Sequence, residues 1–149
     1  MARIRITREF TFEMAHALWN YDGPCKNIHG HSYKLYVTVI GKILQDNSNA
    51  KHGMVIDFSE LKKIVEENII DYFDHSVIIN SEAGKLELRN IREMFDKFYI
   101  VDYQPTCENL VIHVVRILKE KLPDRIELFS IRLCETASSY AEWYASDNQ

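Results

Sequence analysis

The chain has 149 residues, 46% of them hydrophobic and 27% charged, with a formal net charge of -4. That suits one compact domain with a real core, and the dispersed acids and bases exclude the basic stripe of a nucleic-acid binder. No apolar run approaches the ~20 residues of a membrane span and no basic start precedes one, so a cytoplasmic protein is expected.

The first element is a strand. Ile4, Ile6, Phe10, Phe12, Met14 and His16 alternate with the mostly polar Arg3, Arg5, Thr7, Glu9, Thr11 and Glu13, and Arg8 is the one misfit, marking an expected bulge. A loop containing Asp22-Gly23-Pro24 leads to Cys25 and then to His29-Gly30-His31. From His31 the odd positions Tyr33, Leu35, Val37 and Val39 form the next apolar face. Leu44 to Gly53 is polar and without period, which reads as a solvated loop.

Asp57, with Glu60 three residues on, caps an amphipathic helix that places Phe58, Leu61, Val65 and Ile69 at helical spacing. The stretch from Ser81 to Gln104 holds a short helix, within Leu86 to Phe95, and an added strand at Phe98 to Val101. Thr106 caps another helix, with Leu110, Val114, Ile117 and Leu118 on one face and a basic end at Lys119 and Lys121. Phe129, Ile131 and Leu133 alternate in a further strand, and Tyr140 to Tyr144 make a short aromatic one. The principal order is ββααββ, and the expected class is α+β: one antiparallel sheet with two helices over one face.

The parity of the strands bears on chemistry. His16, His29 and His31 should all point to the helix-covered side at one end of the sheet, and three imidazoles holding a divalent metal such as zinc leave a fourth position open. Cys25, four residues ahead of His29, is either a fourth ligand or a thiolate acting on whatever the metal binds. The odd count of three cysteines argues against a disulfide framework, and Cys107 and Cys134 read as small core residues. Glu135 follows Phe129, Ile131 and Leu133 on an apolar face, where a carboxylate needs a partner such as a ligand with adjacent N–H donors. Asp74 beside His75 can tune that imidazole into a general acid or base, although a plain helix-end contact is the simpler account of the pair alone. His52 and His113 are assigned no role.

Taken together, these residues resemble a known family. Phe10-Thr11-Phe12-Glu13-Met14-Ala15-His16, the Cys-x3-His-Gly-His-Ser-Tyr run from Cys25, Gly53-Met54-Val55-Ile56-Asp57-Phe58-Ser59-Glu60-Leu61, Phe73-Asp74-His75, Pro105-Thr106-Cys107-Glu108-Asn109 and Cys134-Glu135-Thr136 resemble the 6-pyruvoyltetrahydropterin synthase family, in the family's order and over nearly the whole chain. The short Cys25-to-His29 spacing is similar to its bacterial carboxy-forming branch, of queuosine biosynthesis. The resemblance implies the tunnelling fold, with subunits joined through their sheets into rings and two trimeric rings stacked as a hexamer, the active site lying between subunits. It further implies that His16, His29 and His31 hold Zn²⁺, that Cys25 is the proton-abstracting base, and that Asp74 and His75 assist it as a relay. Glu135 would grip the pterin ring of 7,8-dihydroneopterin triphosphate, with Thr106 and Glu108 near it. The Ser81 to Gln104 stretch is longer than in compact members, and its Arg89, Arg92 or Lys97 are candidates for the triphosphate.

Overall fold

The computed structural model describes residues 1–149, the side chain of Lys85 excepted. Strand β1 (Arg3–Ala17) pairs antiparallel with β2 (His29–Lys42), from Arg3 opposite Lys42 to His16 opposite His29. The register is unbroken, so Arg8 marks no bulge; its guanidinium instead donates to the Phe58 carbonyl at 3.0 Å. Strands β5 (Glu127–Thr136) and β6 (Ser139–Tyr144) continue the antiparallel sheet beyond β2.

On the other side of β1 the sheet departs from the antiparallel expectation. Strand β3 (Ser76–Asn80) lies parallel to Met14–Ala17 of β1, and β4 (Phe98–Val101) lies parallel to β3, giving the order β4-β3-β1-β2-β5-β6. Parallel neighbours need a crossover, and helix α3 (Lys85–Arg92) supplies it. The expected short helix and added strand are both present, and β3 joins them.

Asp57 caps α1 (Phe58–Val65), its carboxylate accepting from Ser59 N at 2.8 Å. The helix runs on through a π-helical turn, Glu66–Ile70, into the short α2 (Asp71–Phe73). Leu61, Val65, Ile69 and Phe73 are buried, whereas Phe58 is 52% exposed, so the inward stripe begins one turn later than its spacing predicts. Thr106 caps α4 (Cys107–Lys121), accepting from Asn109 N at 3.3 Å. Leu110, Val114 and Leu118 of α4 meet Leu35, Val37, Ile131 and Leu133 in the main core. Burying each such side chain stabilises by about 1.5–3 kcal/mol, and truncating Leu118 to Ala should cost ~2–5 kcal/mol.

Helix α3 belongs elsewhere. Its Leu88 packs with Ile79 and Phe98 in a second, smaller cluster. Because Ile78 enters the main core and Ile79 this second one, α3 covers the opposite face of the sheet. The sheet is therefore covered by α1 and α4 on one side, as expected, and by α3 on the other at its parallel end.

Strand β5 carries two bulges. The register slips at Phe129, so Leu128 turns inward and Phe129 outward, where Arg5 lies 3.9 Å from its ring centre. Ile131 and Leu133 keep the predicted inward parity. Among the described residues no helix is long and apolar enough to cross a membrane.

Candidate active site

The site forms at the end of the sheet where β1 hands over to β2. His16 is the last buried even residue of β1, and His29 and His31 open β2. Their rings meet pairwise, with centroids 4.6, 4.9 and 5.2 Å apart, and one nitrogen from each lies within 4.8 Å of the others. Backbone carbonyls orient two of them: His16 Nδ1 lies 2.7 Å from the Pro105 oxygen and His29 Nδ1 lies 2.8 Å from the Asn27 oxygen. A carbonyl can only accept, so each Nδ1 carries the hydrogen and each Nε2 of a neutral ring presents a bare lone pair.

Those two Nε2 atoms are 3.1 Å apart. Two lone pairs at that distance repel unless a cation or a proton lies between them. Tetrahedral coordination at Zn–N distances of about 2.0–2.1 Å sets nitrogens roughly 3.3 Å apart. His31 Nε2 is buried without a hydrogen-bond partner, and Glu135 Oε1, at 3.6 Å, is too far to serve. Burial lowers the His16 pKa, outweighing the Pro105 hydrogen bond that raises it, and so keeps the ring a neutral donor. The donor set, the neutral His16 ring and the orphaned His31 nitrogen fit a divalent metal. Cys25 stands outside the three-histidine cluster, which disfavours a closed Cys-His₃ site.

Beside the cluster is a cavity of 320 Å³ lined by His16, Tyr21, Cys25, Thr106, Glu108 and Glu135, among others. The loop from Leu18 to Cys25 forms one wall. Leu18 N donates to Cys25 O at 2.9 Å and closes it, Asn20 adopts a left-handed φ of +58°, and the Tyr21 ring lies against Gly23, where a Cβ would come within 2.6 Å of it. Thr106 and Glu108, at the start of α4, form another wall. Glu135 is the extra residue of the second β5 bulge, between Cys134 opposite Tyr140 and Thr136 opposite Ser139. Its side chain is 25% exposed and turned into the cavity, the re-aiming for which bulges are used.

Cys107 also lines this cavity, and burial pushes its thiol pKa up to about 11. Cys107 and Cys134 are both half-buried: Cys107, at the start of α4, packs against the main core as expected, whereas Cys134 lies on the sheet's other face and is not the core filler expected.

Asp74 and His75 form a pair outside this cavity within one chain. His75 Nδ1 is 2.9 Å from Asp74 Oδ2, and Glu13 N donates to Asp74 Oδ1 at 2.9 Å. That backbone hydrogen bond is the main cause holding the Asp74 carboxyl below its ordinary range. His75 is 79% exposed and adopts a left-handed φ of +60°, which costs a non-glycine residue about 1–2 kcal/mol. Arg89 and Arg92 are exposed on α3, and neither they nor Lys97 line the cavity. The sequence gives no periodic signal for Tyr21, nor for Gln104, whose side chain holds the loop of Cys25.

A curled mixed sheet with a three-histidine cluster and a cavity at one end defines a class. Residues 5–146 match the 6-pyruvoyl tetrahydropterin synthase family, and the chain belongs to it. It is 38% identical over 141 residues to a Haemophilus influenzae protein named 6-carboxy-5,6,7,8-tetrahydropterin synthase, covering 93% of this chain and 97% of that one. A Synechocystis protein of the same name is 30% identical, covering 94% of this chain and 92% of its own. Among solved structures, Caenorhabditis elegans 6-pyruvoyl tetrahydropterin synthase superimposes with a TM-score of 0.69 at 24% identity over 97% of each chain, which supports the fold.

Proposed function

We propose that this protein is a zinc-dependent lyase that converts 7,8-dihydroneopterin triphosphate and one water to 6-carboxy-5,6,7,8-tetrahydropterin, releasing triphosphate and acetaldehyde, in queuosine biosynthesis. The observation that carries this reading is a single cavity that sets Cys25 and Glu135 beside His16 of the three-histidine cluster. The name shared by relatives along the whole chain supports the carboxy-forming product.

His16, His29 and His31 would hold the zinc, which when bound supplies Lewis-acid polarisation of the substrate's side-chain hydroxyls. Glu135 accepts two N–H bonds from the pterin ring amide and exocyclic amine, a bidentate match that fixes the ring. Thr106 and Glu108 close the cavity around it. Cys25, as thiolate, takes a proton from the side chain at the carbon next to the ring. His75, held by Asp74, exchanges protons further along. Within one chain the Asp74–His75 pair lies outside the cavity, so its role belongs to the ring-shaped homo-oligomer that the family resemblance implies, a hexamer of two stacked trimers, in which the pair faces the cavity of a neighbouring copy.

Mass spectrometry of the products formed by the zinc-loaded protein from 7,8-dihydroneopterin triphosphate, with acetaldehyde trapped in parallel, tests this. Carboxytetrahydropterin with acetaldehyde is the expected result. Pyruvoyltetrahydropterin without acetaldehyde would move the protein to the triphosphate-eliminating branch, and untouched substrate would leave a pterin- or zinc-binding protein without turnover.

A further inference from the structure

The segment between β3 and α4 is the part of the chain that the proposed chemistry leaves without a task. Lys97 is a tightly held polar residue within it. Its ammonium donates to the Asp71 carbonyl at 2.6 Å and to the Asp74 carbonyl at 2.8 Å, while its own carbonyl accepts from Val77 N at 2.9 Å. Those bonds straddle the turn that ends α2 and opens β3, with His75 at its apex.

The turn is anchored on its other side as well. His75 N donates to the Glu13 carbonyl at 2.7 Å, Glu13 N donates to Asp74 Oδ1, and Ser76 Oγ donates to the Phe73 carbonyl at 2.6 Å. Helix ends leave carbonyls without internal partners, and a lysine ammonium is the side chain best suited to gather two of them. Lys97 can do so because β4, which begins at the next residue, runs parallel to β3 and starts opposite Val77. A left-handed non-glycine residue persists only where its surroundings over-determine it. Here the surroundings are β1 on one side and Lys97 on the other.

We propose that Lys97 is a positioning residue for the Asp74–His75 pair, clamping the carbonyls before and at Asp74 so that His75 keeps the left-handed backbone that turns its imidazole onto the carboxylate. The added segment thus braces catalytic machinery from behind. The inference rests on His75 being catalytic.

The test compares Lys97→Met, Lys97→Arg and His75→Ala in the zinc-loaded enzyme, with kcat and KM for 7,8-dihydroneopterin triphosphate, melting temperature, and the His75 imidazole ¹H–¹³C resonance as readouts. Misplacement of a reacting group by about 1 Å costs roughly 100-fold, so Lys97→Met should lower kcat by 10- to 100-fold with KM within about twofold, and should move the His75 resonance. Lys97→Arg, which can still reach both carbonyls, should restore most of the rate. Should Lys97→Met fail to fold, Lys97→Gln, whose amide reaches one carbonyl, takes its place. Wild-type kcat and an unmoved His75 resonance in the folded variant would overturn the proposal, as would a rate loss matched by the fraction unfolded. Full activity in His75→Ala would remove the catalytic reading of the pair and the clamp with it, whereas an inactive His75→Ala beside an unimpaired Lys97→Met would remove the clamp alone.

Discussion

Gln104 and Trp19 pair as two strands would: the Gln104 side-chain amide accepts from Trp19 N at 2.9 Å and donates to Trp19 O at 2.7 Å. The same residue's backbone carbonyl accepts from Asn109 Nδ2 at 2.9 Å, so one glutamine ties the Cys25 loop to the start of α4. Gln104→Leu keeps the volume and removes both bonds. Turnover should fall at least tenfold while zinc content stays unchanged, and Cys25 should be alkylated by iodoacetamide at an altered rate. Unchanged turnover and alkylation would show that the loop holds its shape without the clamp.

Glu135 lines the cavity, and the proposed function has it grip the pterin ring. A hydrogen bond to a charged group contributes about 1.5–3 kcal/mol, so Glu135→Gln, which swaps one acceptor for a donor, should weaken 7,8-dihydroneopterin binding by roughly 10- to 100-fold. Fluorescence titration measures it. Zinc stoichiometry should not change, because the carboxylate lies 3.6 Å from the nearest histidine nitrogen and outside the cluster.

The metal set is tested by contrast. His31→Ala should lose most of its zinc by elemental analysis and lose the rise in melting temperature expected when zinc binds the parent protein. Cys25→Ala should bind zinc as the parent does and have no turnover. Loss of zinc from Cys25→Ala would point to a closed structural site.

His113 supplies a pH dependence separate from the chemistry. Burial, then the nearby Arg116, lowers its pKa to about 4 from the ordinary 6.5, and Tyr103 Oη lies 2.9 Å from its Nδ1, donating to the neutral ring. Between these values the unfolded chain binds a proton that the native one does not. Stability is therefore complete above pH 6.5 and declines as pH falls toward 4, by a ceiling of about 3 kcal/mol. Urea unfolding at pH 7 and pH 4.5 measures it, and His113→Gln should lessen the decline.

The antiparallel half of the fold was legible because its signals are local. Alternation placed His16 and His31 on one face, and Asp57 and Thr106 marked helix starts that their capping bonds match. Of the parallel half, helix α3 and strand β4 were legible, but β3 and the parallel pairing were not. Val77-Ile78-Ile79 is too short a run to assign by period, and its partner on β1 lies some sixty residues away, so only tertiary packing selects it. The outward turn of Phe129 likewise follows from a bulge that no residue pattern announces. At the site, residue types and strand parity indicated the histidines, Cys25 and Glu135. Gln104 escaped, and Lys97 was singled out only as a triphosphate candidate, because their hydrogen bonds run to backbone atoms of distant segments.

The unequal joining of the sheet has a consequence for how this protein fails. The β3–β4 unit is attached to β1 only along Met14–Ala17, and its own cluster is small, Ile79, Leu88 and Phe98. A unit held by so short a ladder, with Ile78 its one buried residue in the main core, should exchange its amides through openings that leave most of the antiparallel core closed. Each opening releases Lys97 from the Asp74 turn and Asn80 from Gln104. Heat should therefore silence the protein while its core is still folded, and the temperature at which activity vanishes should fall below the one at which the chain melts.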